Sequence, residues 1–153
     1  MDPVDGQIVA LLQSDATLPV TDIAERVHLS PKPYWRRIHK LTQQRYIRQR
    51  VALLDARKLN VSVTVFVGIK TNQHSQAWFD RLSEVVSAIP EVMEFYRMSG
   101  DIDYLLRVVV PDIAGYDAVY RKLMGSVDLF DVSSSFAMEQ IKFTTALPLD
   151  YAV

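Results

Sequence analysis

"EVMEFYRMSGDIDYLLRVVV", residues 91–110, carries two runs of strand character on either side of a short break. "EVMEFYRM" and "DYLLRVVV" are rich in β-branched and aromatic residues, which suit a pleated, half-buried surface. "SGDI" between them contains the glycine a tight connection needs, so the stretch reads as a β-hairpin. Upstream, "VSVTVFVGI" (61–69) sets Val61, Val63, Val65, Val67 and Ile69 against Ser62, Thr64, Phe66 and Gly68, the two-residue period of a strand. Between it and the hairpin, residues 75–89 return to helical spacing, with Phe79, Leu82, Val86 and Ile89 on one stripe and Pro90 as the stop. Downstream, "PDIAGYDAVYRKLM" reads as a helix capped by Asp112, "LFDVSSSFAM" (129–138) as a last strand, and "IKFTTALPL" as an extended tail. The order is βαββαβ, a ferredoxin-like arrangement.

The hairpin also holds the densest polar constellation of this half: Ser99, Gly100, Asp101, Asp103 and Tyr104. A glycine there exposes backbone N–H groups, and two carboxylates suit an ammonium ligand. The same residues are also ordinary turn formers. No nucleophile or basic partner accompanies them, so a catalytic carboxylate pair is not expected and no catalytic residue is assigned.

The first fifty residues have another character. Val4, Ile8, Leu11 and Leu12 form a helical stripe, with Asp2 or Asp5 as cap and Pro3 in the first turn. A second helix is expected over "VTDIAERV" with Thr21 as its cap, and a third after Ser30, with Pro31 in its first position. In the third, Tyr34, Ile38 and Leu41 share the inward face and Trp35 points outward. "YIRQRVALL" reads as a short hairpin or strand. From Arg26 to Leu54 the chain has eight Lys or Arg and no Asp or Glu. Three helices with a basic third one and a strand behind describe a winged helix-turn-helix, whose recognition helix enters the major groove. Excluding carboxylates there is what a phosphate surface requires. The fold class is thus α+β: residues 1–50 a winged helix-turn-helix, 51–60 a linker or wing strand, and 61–153 a ferredoxin-like domain.

The charge split supports two modules: residues 1–50 carry eight basic and five acidic groups, the rest nine and thirteen. No apolar run reaches membrane-spanning length, and the chain reads as cytoplasmic. Cysteine is absent, and His28, His39 and His74 lack metal-ligand spacing, so neither a metal nor a cofactor is expected.

With these residues in place, the chain resembles the Lrp/AsnC (feast/famine) family of transcription regulators over essentially its full length. "VDGQIVALLQSDATLPVTDIAERVHLSP" is similar to the family's opening, "VTVFVGI" to the start of its second domain, "PEVMEFYRMSGDIDYLLRVVVPD" to its most recognisable motif, and "SSFAMEQIKFTTALPL" to its close. The resemblance implies an effector (RAM) domain that binds a small free amino acid where dimers meet, around the hairpin, and dimerises through its sheet, with tetramers or octamers beyond. Gly100, Asp101 and Asp103 match the family's effector hairpin, and Met98, Ile113, Ser135, Phe136 and Ala137 fall near positions that affect the response. The chain departs from the family pattern at Lys32, where Thr or Ser is usual, at Tyr34, where a small residue is usual, and at Arg45, where Gly is usual.

The expected DNA contacts are Ser30, Lys32, Trp35, Arg36, Arg37, Lys40, Arg48 and Arg50. The expected partners are double-stranded DNA, an amino-acid effector and further copies of the chain. Two rival readings remain at this stage: an enzyme of amino-acid metabolism built on the ferredoxin-like half, and an architectural DNA-binding protein without a ligand.

Overall fold

The computed structural model describes residues 1–129 and 131–152, and the chain divides into two compact units: Met1–Leu53 with Ile141–Val153, and Leu54–Gln140.

The first unit is built on three helices, α1 (Pro3–Ser14), α2 (Val20–Arg26) and α3 (Pro31–Gln43). Asp2 caps α1 by accepting the Asp5 N–H, and the Asp5 carboxylate accepts the Asp2 N–H in return, a capping box. Thr21 does not cap α2; the cap position is Pro19, so the helix starts one residue before Thr21. The α2–α3 turn closes on itself: His28 N–H donates to Glu25 O and Leu29 N–H to Ala24 O, with His28 at φ 56°. That is a Schellman ending with histidine where glycine is usual. The core joins Ile8, Ile23, Ala24, Val27, Tyr34, Ile38 and Leu41.

The tail belongs to this unit, not to the ferredoxin-like one as expected from sequence. Gln13 donates from Nε2 to Leu147 O and accepts the Leu147 N–H at Oε1, both at 2.9 Å, and Leu149 packs against the helical core. Residues 46–54, expected to form a wing hairpin or strand, make no backbone ladder, and 56–60 form a turn. A strand exists only where another edge pairs with it, and among the described residues none does so there. The described first unit is therefore a helix-turn-helix with no wing strand of its own.

The second unit runs β1 (Val63–Lys70), α4 (Gln76–Ser87), β2 (Val92–Arg97), β3 (Tyr104–Val110), α5 (Ile113–Ser126) and β4 (Asp131–Phe136). The sheet order is β2-β3-β1-β4, with each neighbouring pair antiparallel. This is the expected βαββαβ topology; the expected last strand began at Leu129, and Phe130 lies outside the described residues. Period-two alternation sends Val65, Val67 and Ile69 of β1, and Leu106, Val108 and Val110 of β3, to one face. There they meet Leu82 and Val86 of α4 and Tyr116, Val119 and Leu123 of α5. Trp78 joins this core more deeply than Phe79, donating from Nε1 to Asp128 O at 3.0 Å. The opposite sheet face presents Phe66, Leu105, Arg107, Glu94 and Tyr96, and among the described residues no helix of the unit covers it.

Candidate DNA interface and effector cleft

In the first unit, packing decides which side of α3 is free. Tyr34 is 2% exposed and Trp35 58%. Successive helical residues turn by about 100°, so Lys32, Trp35, Arg36, His39 and Lys40 share one arc of roughly 140° opposite the buried Tyr34-Ile38-Leu41 stripe. All five are exposed, and the arc contains no carboxylate. His39 was not among the expected contacts, although its place three residues from Arg36 and four from Trp35 puts it on that arc. Arg48 and Arg50 are exposed beyond the end of α3.

Ser30 takes the cap position of α3 with extended backbone, but its hydroxyl makes no cap hydrogen bond. The physical reason is local. A cap oxygen accepts from the second or third helical N–H, and the third residue is Pro33, which has none. With Pro31 first, Lys32 supplies the single N–H among those three positions. The Ser30 hydroxyl is left for another partner, and the helix end is a poor backbone anion site.

Arg37 is the one expected DNA contact that the structure withdraws. Its Nη1 donates to Asp5 Oδ1 at 2.8 Å and also to Asp2, binding α3 to the start of α1. Asp5 is buried, so this guanidinium is committed. It holds the Asp2 carboxyl below the ordinary carboxylate range, with the Asp5 N–H adding to the effect. Asp2 and Asp5 lie far away in sequence, which is why helical periodicity alone assigned Arg37 outward. At the other end of α3, Arg45 takes φ 61° and closes a second Schellman ending, with Arg45 N–H donating to Thr42 O and Tyr46 N–H to Leu41 O.

In the second unit the hairpin loop is 99–102, closed by Met98 N–H donating to Asp103 O at 2.8 Å. Gly100 sits at φ 116°, and a Cβ there would meet nothing within 4 Å. It is glycine for its backbone conformation, not because anything approaches it. Asp101 is exposed. Asp103 is tied down: its N–H donates to Ile69 O and its Oδ2 accepts the Thr71 N–H, each at 2.8 Å.

Beside the hairpin lies a cleft of about 350 Å³ lined by residues that include His74, Trp78, Arg97, Met98, Asp103 and Tyr104. Tyr104 stacks among Trp78, Phe79 and Phe95 at centroid distances of 5.6–6.0 Å and gives the cleft an aromatic floor. Arg97 and His74 were missed from sequence. Arg97 had a signal, since it is the cation next to Met98, but its direction depends on β2 pairing it with Tyr104.

Ser135 and Phe136, expected at the effector site, are not brought to this cleft within one chain. Phe136 pairs with Val65, several residues along β1 from the hairpin end, and packs edge-on against Tyr116 of α5 at 5.3 Å. Ser135 pairs with Phe66 and faces the opposite side of the sheet. The reason is topological: β4 lies on the side of β1 away from β3.

Among the described residues no cluster of His, Asp and Glu could hold a metal ion, and no helix is long and apolar enough to cross a membrane.

A helix-turn-helix with a bare basic face, joined to a ferredoxin-like unit with a polar cleft at its β2–β3 loop, defines a DNA-binding regulator with a ligand domain. The chain belongs to the Lrp/AsnC family: residues 1–42 match the AsnC-type helix-turn-helix domain and residues 64–147 the Lrp/AsnC ligand binding domain. It is a transcriptional regulator and not an enzyme. It is 47% identical over 151 residues to the DNA-binding transcriptional activator DecR of Escherichia coli K12, covering 98% of this chain and 99% of that protein. Its fold matches the crystal structure of an AsnC family regulator from Agrobacterium tumefaciens at TM-score 0.97 and 60% identity, with both chains fully covered. It also matches a Neisseria meningitidis transcriptional regulator solved as an L-Met complex, at TM-score 0.94 and 30% identity over 100% of this chain and 99% of that one.

Proposed function

We propose that this regulator acts in the cytoplasm as a homodimer or larger assembly that places two copies of α3 in successive major grooves, and that a free amino acid bound at the hairpin cleft alters its assembly or DNA affinity. The observation that carries the DNA half is the carboxylate-free arc Lys32, Trp35, Arg36, His39 and Lys40, set opposite a buried stripe. Each phosphate met by Lys or Arg releases counterions, and base edges are read by the residues that project deepest. Arg48 and Arg50 extend the basic surface toward the backbone, and the uncapped Ser30 hydroxyl is free to donate to a phosphate. Arg37 has no part in this reading.

For the effector, the cleft offers a cation at Arg97 and an aromatic floor, and the hairpin tip carries the exposed Asp101 carboxylate. Those are complements to an α-carboxylate, an α-ammonium and an apolar side chain. The L-Met complex of the Neisseria relative supports an amino acid as the ligand class. Ser135 and Phe136 take part only if a second copy supplies them. The uncovered sheet face with Phe66, Leu105 and Tyr96 is the surface on which two copies meet.

The test is a fluorescence-anisotropy titration of duplexes selected from a random pool, with and without each of the twenty amino acids. The reading requires salt-dependent, sequence-selective binding that at least one amino acid shifts. Sequence-selective binding indifferent to all twenty would leave the DNA half and remove the effector half.

A further inference from the structure

We infer that Asp103 is a positioning residue that locks the effector hairpin onto the sheet, not the group that meets the effector's charge. This rests on the hairpin being the effector site. Three contacts fix the loop. Asp103 N–H reaches Ile69 O at 2.8 Å, and Asp103 Oδ2 accepts the Thr71 N–H at 2.8 Å. Thr71, itself buried, then turns the chain toward α4 by accepting the Gln73 N–H at its Oγ1, at 2.9 Å.

The third contact is apolar. Ile102 lies over Gly68 of β1 so closely that a Cβ at position 68 would come within 3.2 Å of its Cγ2 and 3.0 Å of Ser133 Oγ. Gly68 is therefore the seat for Ile102 on the sheet face turned away from the helices. One carboxylate oxygen is spent on a backbone donor and the neighbouring side chain is clamped. What the carboxylate supplies is an acceptor at a fixed place, and a neutral amide supplies that equally well. Asp101, by contrast, is exposed at the loop tip.

The experiment uses the full chain with Asp103→Asn, Asp103→Ala and Gly68→Ala, reading Thr71 amide exchange and L-methionine affinity by calorimetry. Asp103→Asn is expected to retain Thr71 protection and to bind L-methionine within about threefold of the unaltered protein. Asp103→Ala is expected to lose protection and affinity by tenfold or more. Gly68→Ala, which unseats Ile102, should weaken L-methionine binding with Asp103 intact. Loss of L-methionine binding by Asp103→Asn with Thr71 still protected would make Asp103 a charge contact and overturn the inference. Thr71 protection undiminished in Asp103→Ala would overturn it as well. If the unaltered protein binds no L-methionine, that ligand fails, and Thr71 exchange still decides the positioning role.

Discussion

Arg37 and Asp5, 32 residues apart, form an ion pair of 2.8 Å in which the carboxylate is buried and the guanidinium about one-third exposed. The pair fixes the recognition helix to the N-terminus of α1. Arg37→Ala leaves Asp5 buried without its cation, at an expected cost of about 1–3 kcal/mol of stability. Urea unfolding measures that loss. Under native conditions the same variant should retain DNA affinity, because Arg37 is not on the exposed arc.

Arg36→Ala is the counterpart. Unfolding free energy should be unchanged, while DNA affinity falls by about 1–3 kcal/mol if Arg36 reads a base edge. If it holds a phosphate, binding should weaken alike on all sequences and the salt slope should shrink by about one. Affinity measured at several salt concentrations separates the two roles. Unaltered affinity at every salt would remove the arc from the interface.

These two arginines also mark what could be read from sequence. The stripe Tyr34, Ile38 and Leu41 announces its burial through helical spacing, and the alternating valines of 61–69 announce β1 through strand spacing. Hydrophobic periods are local, so they survive in the sequence. Arg37 is misread because its partners Asp2 and Asp5 come near only after the helices pack. The tail is misplaced because Gln13 meets Leu147 across 134 residues. At the candidate effector site, the residues of the hairpin, 98–103, are legible as one motif. Arg97 and His74 join them, and Ser135 and Phe136 are sent elsewhere, only through strand order and pairing.

Arg45→Gly should stabilise the chain. Arg45 sits at φ 61°, where a side chain is strained and glycine is not. The gain should be up to about 1 kcal/mol after the extra freedom of glycine in the unfolded chain is offset. A fall in melting temperature would show that Arg45 contributes a contact outweighing its backbone strain.

Acid should weaken the fold through carboxylates whose folded pKa is depressed. Arg107 donates to Glu94 at 2.5 Å and holds its carboxyl below the ordinary range, with the Tyr96 hydroxyl adding to the effect. Asp2 is lowered in the same direction by Arg37. A depressed pKa gives stability that is present above the unfolded value and lost as pH falls through the folded one. Unfolding free energy should therefore hold from neutral down to roughly pH 4.5 and decline below it. Glu94→Gln should flatten part of that decline; an identical pH profile for the variant would mean the pair contributes nothing.

Gly100→Val should abolish the effector response without unfolding the chain. The strain is confined to the loop, since φ 116° is closed to a β-branched residue while the space around it is open. Circular dichroism checks the fold, and calorimetry with the amino-acid panel checks the response. Binding that survives the change would place the effector elsewhere.

A chain that reads DNA with α3 and senses an amino acid at the hairpin must couple the two, and a linkage titration measures that coupling. Duplex affinity is measured with and without a saturating amino acid, and amino-acid affinity is measured with and without duplex. The expected result is the same factor both ways, corresponding to a coupling of about 1–3 kcal/mol, which Gly100→Val removes and Arg37→Ala leaves in place. A duplex affinity that no amino acid changes, or a coupling that Gly100→Val leaves intact, would contradict it.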